Sequence, residues 1–487
     1  MNESSLYNAL KNYVKLGRSS FHTPGHKGFL RRIDSRFDLT ELTETDSLYH
    51  ASGIIRAAED RAANLFGAKR TIFSAGGCTL AIQTMLLAVV KETAKGVGNP
   101  HVGNGVIRSS EEWITPLPTD CREQQGNNSN CTHTLFARDG LHQSAVNAMP
   151  LFDIRPTFIK SHPPTLFTDV KNQDDQSNLA SQIESAIIDA KKNDITFSAV
   201  YLTSPNYFGQ LADVAGAAEI CKKYDIPLLV DNAHGSHLIA FPGLHPLAQG
   251  ASMTACSAHK TLPVLTGGAF LNCNDGRFAG RIKRDMPVFG STSPSYLIMS
   301  SLDSAVDLMI KSGIKSYQKL AKKVSDLKET AKEKGIEIPG EPCDPCRLTL
   351  ITRTIGMTGT DAAEYLRSKK IEPEYADESA VVLIITPWNS RRDLRRLKRA
   401  ITRMPVSAPL YPIKNQDFAP KAVLTPRQAM FSPSTRILVS ESIGKIAAEA
   451  VCPCPPGTPV IIPGEIIEKC AKDLLIRYGI HEIDVVR

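Results

Sequence analysis

Between residues 70 and 257 the chain alternates short apolar runs with helical stretches, and this feature limits its fold more than any other. The runs 135–137 (LFA), 197–202 (FSAVYL) and 227–230 (PLLV) are apolar almost throughout, not at every second position. A strand with one wet face alternates; a strand apolar along its length is buried on both faces, the habit of parallel sheets covered by helices on either side. Further strands are predicted at 71–73, 157–159 and 252–257. Helices are predicted at 53–66, 80–90, 143–151, 179–191 and 214–224. The fold class is therefore α/β, with a mainly parallel sheet.

Length and composition set the frame. The 487 residues suffice for about three domains. Hydrophobic residues at 42% and charged residues at 22% exclude a disordered, collagen-like or coiled-coil chain. The expected units are an N-terminal segment (1–50), a large domain (51–311), a smaller α+β domain (312–410) and a C-terminal subdomain (411–487). Residues 96–133, rich in Gly, Asn, Ser and Pro and without period, read as an insertion in the large domain. A helix is expected at 301–311. In the smaller domain, helices are expected at 316–334 and 360–369 and strands at 347–353 and 380–386.

A net charge of +7 is mild for this length and gives no reason to expect a nucleic-acid partner. No run approaches the ~18 apolar residues of a membrane span. The eleven cysteines, an odd number without a secretory leader before them, read as reduced thiols in the cytoplasm.

The chemistry concentrates at 227–270. Asp231 closes one apolar strand, and Lys260 follows the next, in Ser257-Ala258-His259-Lys260. Ligands of open α/β sheets bind beyond the carboxyl ends of strands, so an acid and an amine can converge there. That pair suits pyridoxal 5'-phosphate: the amine forms a Schiff base and the acid keeps the pyridinium nitrogen protonated. Alone, a strand-ending aspartate is more often a cap and a lone lysine a solvated charge. Ser257 and His259 beside Lys260 could both meet a phosphate. Gly77, Cys78 and Thr79 lie between a strand and a helix, where backbone N–H groups and the helix dipole attract an anion; an ordinary tight turn explains an isolated glycine pair as well. His142 opens a helix, where its imidazole can stack on a flat ring or simply cap the turn.

Two other patterns carry less. Cys343 and Cys346 have zinc-knuckle spacing but lack a second ligand pair, so no metal is expected. The basic run 391–399 places Leu394, Leu397 and Ile401 at helical spacing, which reads as an amphipathic helix with a solvated basic face; a nucleic-acid patch is the rival.

In order along the chain stand HTPGHK (22–27), FSAGGCT (73–79), ARDGLHQS (137–144), SPNYFGQLADV (204–214), VDNAHGSHL (230–238), SAHKTLPVLTGG (257–268), STSPSYLIMSSLD (291–303), IEPEYAD (371–377) and CPPGTPVIIPGE (454–465). Through them the sequence resembles the Orn/Lys/Arg decarboxylase family, whose large domain is aspartate-aminotransferase-like (fold type I). In length it resembles the short, Bacillus-type arginine decarboxylase branch, which lacks an N-terminal wing domain. The resemblance implies Lys260 as the Schiff-base lysine and Asp231 on the pyridine nitrogen. It implies His142 and Ala233 on the two ring faces, with His234 supporting the ring substituents. Ser257, His259, Gly77, Cys78 and Thr79 would hold phosphate. Ser291 and Thr292 would reach a neighbouring subunit's cofactor, making a homodimer the minimum unit. His259 or Lys260 would return a proton to Cα, and Glu372, Glu374 and Asp377 are the candidates for a cationic substrate tail. The sequence departs from the family at Asn232, Gln143 and Cys78, where Glu, Lys and Ser or Thr are usual. The implied reaction is decarboxylation of a basic amino acid, arginine before lysine or ornithine, feeding polyamine synthesis. Another fold-type-I reaction (transamination or elimination), an inactive relative, or a basic-surface binding protein are the alternatives.

Overall fold

The computed structural model describes residues 16–21, 46–96, 132–138, 140–159, 179–410, 420–453 and 457–487. The HTPGHK motif, nearly all of the expected insertion, and residues 454–456 lie outside them.

Seven strands form the central sheet: β1 (Arg70–Ser74), β2 (Thr132–Ala137), β3 (Ile154–Ile159), β4 (Phe197–Thr203), β5 (Leu228–Asp231), β6 (Met253–Cys256) and β7 (Ala269–Cys273). Their order is β1-β7-β6-β5-β4-β2-β3. The pairs from β3 through β6 are parallel; β7 runs antiparallel to both β1 and β6. The sequence did not signal β7, because the chain enters it from β6 through a single helical turn, Ala258–Thr261, and a short loop, without the long helix that separates the other strands.

Adjacent residues of one strand enter opposite cores, which explains the unbroken apolar runs. Phe136, Tyr201 and Leu229 pack with helices α2 (Gly77–Gly96) and α3 (Gln143–Leu151). Leu135, Val200, Leu228 and Val230 pack with α4 (Leu179–Lys192) and α5 (Val214–Lys223) on the other face. The helix expected from 80 begins three residues earlier, inside the glycine turn.

The helix α6 (Tyr296–Leu308) continues through a π-helical turn at Met309–Gly313 into α7 (Ile314–Glu333), so the expected boundary at 312 falls within one helical run. Beyond it, a three-stranded antiparallel sheet of β8 (Arg347–Leu350), β9 (Tyr375–Ala376) and β10 (Val381–Ile384) packs with α7, α8 (Gly359–Ser368) and α9 (Arg391–Thr402). The basic run forms α9, which buries Leu397 and Ile401 and is opened by a Ser390–Asp393 capping box. Among the described residues no helix is long and apolar enough to cross a membrane.

Candidate active site

Strand register brings the expected pair together. Asp231 ends β5 opposite Thr203 of β4 and Ala255 of β6, and Lys260 lies one helical turn beyond β6. Asp231 is 2% exposed. It accepts the Ala233 N–H at 3.0 Å and the Tyr201 hydroxyl at 3.3 Å. Burial lifts its carboxyl above the ordinary value, against the pull of His142, these hydrogen bonds and Lys260. The Lys260 Nζ sits 2.9 Å from His234 Nε2. Burial lowers its pKa, opposed by the carboxylates of Asp231 and Glu374 and reinforced by Arg347.

The glycine turn is built for close approach. Gly77 has φ +73°, and a Cβ there would meet nothing nearer than Gly267 O at 4.0 Å; its N–H donates to that oxygen at 2.7 Å. Burial holds Cys78 well above the usual thiol range, so it stands as a thiol and not a thiolate. The hydroxyl of Thr79 meets Ser144 Oγ at 2.8 Å, and Ser144 Oγ meets His142 Nδ1 at 2.9 Å. The Ser144 N–H also donates to His142 Nδ1, so this histidine caps α3. With Nδ1 accepting and burial depressing its pKa, the ring is neutral and its proton lies on Nε2. His259 donates from Nδ1 to Gly268 O at 3.1 Å, and Ser257 is buried beside the Cys78 thiol.

The remaining expected residues separate by environment. Glu372 is occupied by Arg18 and by Arg367 at 2.7 Å. Asp377 accepts the N–H groups of Ser379 and Ala380, and burial raises its pKa to about 6. Glu374 alone of the three acts on Lys260; it accepts the Tyr207 hydroxyl at 2.9 Å. Tyr207 in turn meets the His234 ring edge-on, with centroids 4.8 Å apart. Ser291 and Thr292 are exposed in the turn before α6, and the Ser291 hydroxyl accepts the Ser293 N–H; the structure does not bring them into the Lys260 cluster.

Asn232 is fully buried in a polar network of its own. Its amide lies 3.0 Å from His245 Nε2 and 3.3 Å from Cys256 Sγ. Burial pushes His245 down to about 3 and the Cys256 thiol up to about 12, so this network is uncharged. Gln143 gives its backbone N–H to Gly457 O.

Sequence reasoning passed over four members of the site: Tyr201, Ser144, Tyr207 and Arg347. Ser144 and Tyr207 lie within quoted motifs, but Arg347 heads the buried strand β8 and carries no local signal.

A mostly parallel seven-stranded sheet with an amine and a carboxylate at neighbouring strand ends defines a fold-type-I, aspartate-aminotransferase-like protein. Solved structures of that fold match: the lysine decarboxylase LdcF of Francisella novicida (TM-score 0.66, 14% identity, 95% of this chain and 78% of that one). The E. coli constitutive lysine decarboxylase matches over 100% of this chain and 82% of its own (TM-score 0.64, 16% identity).

The chain belongs to the Orn/Lys/Arg decarboxylase family: the family's major domain matches residues 4–97 and 128–339, and its C-terminal domain residues 414–478. The break in the major-domain match falls inside the stretch read as an insertion. An arginine decarboxylase of Bacillus subtilis (strain 168) is 29% identical over 504 residues, covering 96% of this chain and 91% of that protein. The chain is thus an amino-acid decarboxylase of this family.

Proposed function

We propose that the chain decarboxylates arginine with pyridoxal phosphate held covalently by Lys260, as a cytoplasmic homodimer supplying polyamine synthesis. The observation that carries this reading is the Lys260 amine and Asp231 carboxylate at adjoining strand ends, with Glu374 as a third charge acting on the same amine.

The residues fit that cofactor. An open glycine turn at a helix N-terminus, with Thr79, Ser257 and His259 near it, suits a phosphate. Asp231 would hold the ring nitrogen, and His142, neutral and partly exposed, would lie on one ring face with Ala233 on the other. When bound, the group supplies the electron sink that takes up the pair left by the broken Cα–carboxylate bond. Lys260 or His259 returns a proton to Cα. Glu374 receives the cationic end of the substrate, and the 29% identity to an arginine decarboxylase supports arginine before lysine or ornithine. The buried cysteines Cys78, Cys221, Cys256, Cys273, Cys343 and Cys346 are free thiols, in keeping with a reducing compartment.

The test is carbon dioxide release from arginine, lysine and ornithine by the purified protein with added pyridoxal phosphate. Release from arginine, abolished in Lys260→Ala, is expected. Keto-acid formation without carbon dioxide would overturn the reading.

A further inference from the structure

Arg347 enters the site from the smaller domain, at the start of β8, and is 1% exposed. Its Nη1 donates to Tyr207 O at 3.0 Å and its Nη2 to His234 O at 3.4 Å. Both terminal nitrogens also face His234 Nδ1, at 3.5 and 3.4 Å. Its Nε lies 3.7 Å from Asp344 Oδ2. Burial alone would raise the Asp344 carboxyl, but His237 and Arg347 overcome it and hold the pKa at about 2, so a carboxylate anchors the guanidinium from behind.

A guanidinium has five N–H donors and no acceptor. A proton on His234 Nδ1 would therefore point at other N–H groups, so Nδ1 must present its lone pair. An imidazole with a bare Nδ1 carries its single proton on Nε2. That Nε2–H faces Lys260 Nζ at 2.9 Å, and it can donate only if the amine has a lone pair. A lysine ammonium there would set N–H against N–H. The same couple excludes the imidazolium form of His234.

We infer that Arg347 is a positioning residue, fixing His234 as the Nε2–H tautomer that holds Lys260 as a free amine, the nucleophilic form. The inference rests on Lys260 being the cofactor-binding lysine, but its central claim concerns the protein without cofactor. The titratable groups around Lys260 come from several elements: the charged Asp231 from β5, Glu374 from the turn before β9 and Arg347 from β8, and the neutral Cys78 thiol from α2. Lys260, Arg347, His142 and His259 all disfavour a proton on His234, after its burial.

The experiment is nitrogen-15 NMR of histidine-labelled protein free of cofactor, with the His234 ring assigned by loss of its signals in His234→Gln. The Nε2–H tautomer, unchanged between about pH 6 and pH 9, is expected. An Nδ1–H tautomer or a doubly protonated ring in the unmodified sequence overturns the inference, whatever the variants do. In parallel, reductive methylation of Lys260 in the cofactor-free protein, read by mass spectrometry, reports the free-amine fraction. Arg347→Met should release the tautomer to a mixture and slow Lys260 methylation near pH 7.5 about tenfold, with Arg347→Lys recovering most of the rate. Unchanged tautomer and unchanged methylation in a folded Arg347→Met protein overturn it equally. Because neither readout uses pyridoxal phosphate or substrate, a failure here is separate from a failure of the proposed activity.

Discussion

Three carboxylates lie within six residues of one motif, and their neighbours give them three different roles. Glu372 ties the segment to Arg18 and Arg367, Asp377 folds a turn onto the N–H groups of Ser379 and Ala380, and Glu374 accepts the Tyr207 hydroxyl while its charge acts on the Lys260 amine. Spacing could nominate all three but could not rank them, because Arg18 and Tyr207 are distant in sequence. A charge-assisted hydrogen bond to a cationic substrate contributes about 1.5–3 kcal/mol, or roughly 10–100-fold in binding. Glu374→Gln should therefore raise the KM for arginine by about that factor with a smaller change in kcat. Glu372→Gln should leave KM near its starting value. Steady-state carbon dioxide release checks both, and equal KM values for all three proteins would remove Glu374 from the substrate site.

At the scale of elements, the start of α3 is braced by the C-terminal segment. Gly457 O accepts the Gln143 N–H at 3.0 Å, and a Cβ at Gly457 would come within 3.0 Å of His142 Cδ2 and Nε2. A buried ion pair, Arg138 Nη2 to Glu465 Oε2 at 2.9 Å, joins the same two stretches. Gly457 also has φ +79°, which costs a side chain roughly 1–2 kcal/mol. Gly457→Ala should move the His142 ring and weaken pyridoxal phosphate binding about tenfold while the far-ultraviolet circular dichroism stays unchanged. Titration by the cofactor's absorbance measures it, and full-affinity binding in the folded variant would show that the brace does not position the ring. The helix at 143–151 was legible from its apolar pattern, and the stretch at 454–465 only as a motif. Their contact was not, because it joins residues far apart in sequence through a ring edge and one backbone carbonyl.

For the molecule as a whole, the unbroken apolar runs held enough information to predict a sheet covered on both faces, since burial on two sides leaves a direct trace in each strand. The antiparallel β7, the helical run through 312 and the guanidinium behind His234 leave no such trace, and only the folded chain brings them to the site. The proposed second subunit is the remaining long-range feature. Ser291 and Thr292 cannot serve the Lys260 cluster of their own chain from their exposed turn. Val288 (56% exposed) and Phe289 (40%) stand just before them. Single exposed apolar residues are ordinary, but here two adjoin the residues expected to reach a partner's cofactor. The protein should therefore sediment as a dimer at micromolar concentration. Val288→Arg, which adds like charges across a two-fold interface, should lower the dimer population and make specific activity fall on dilution. Fluorescence-detected sedimentation and carbon dioxide release over the same dilution series test the link. A monomer of full activity, or a Val288→Arg protein that stays dimeric and equally active, would remove this face from the interface.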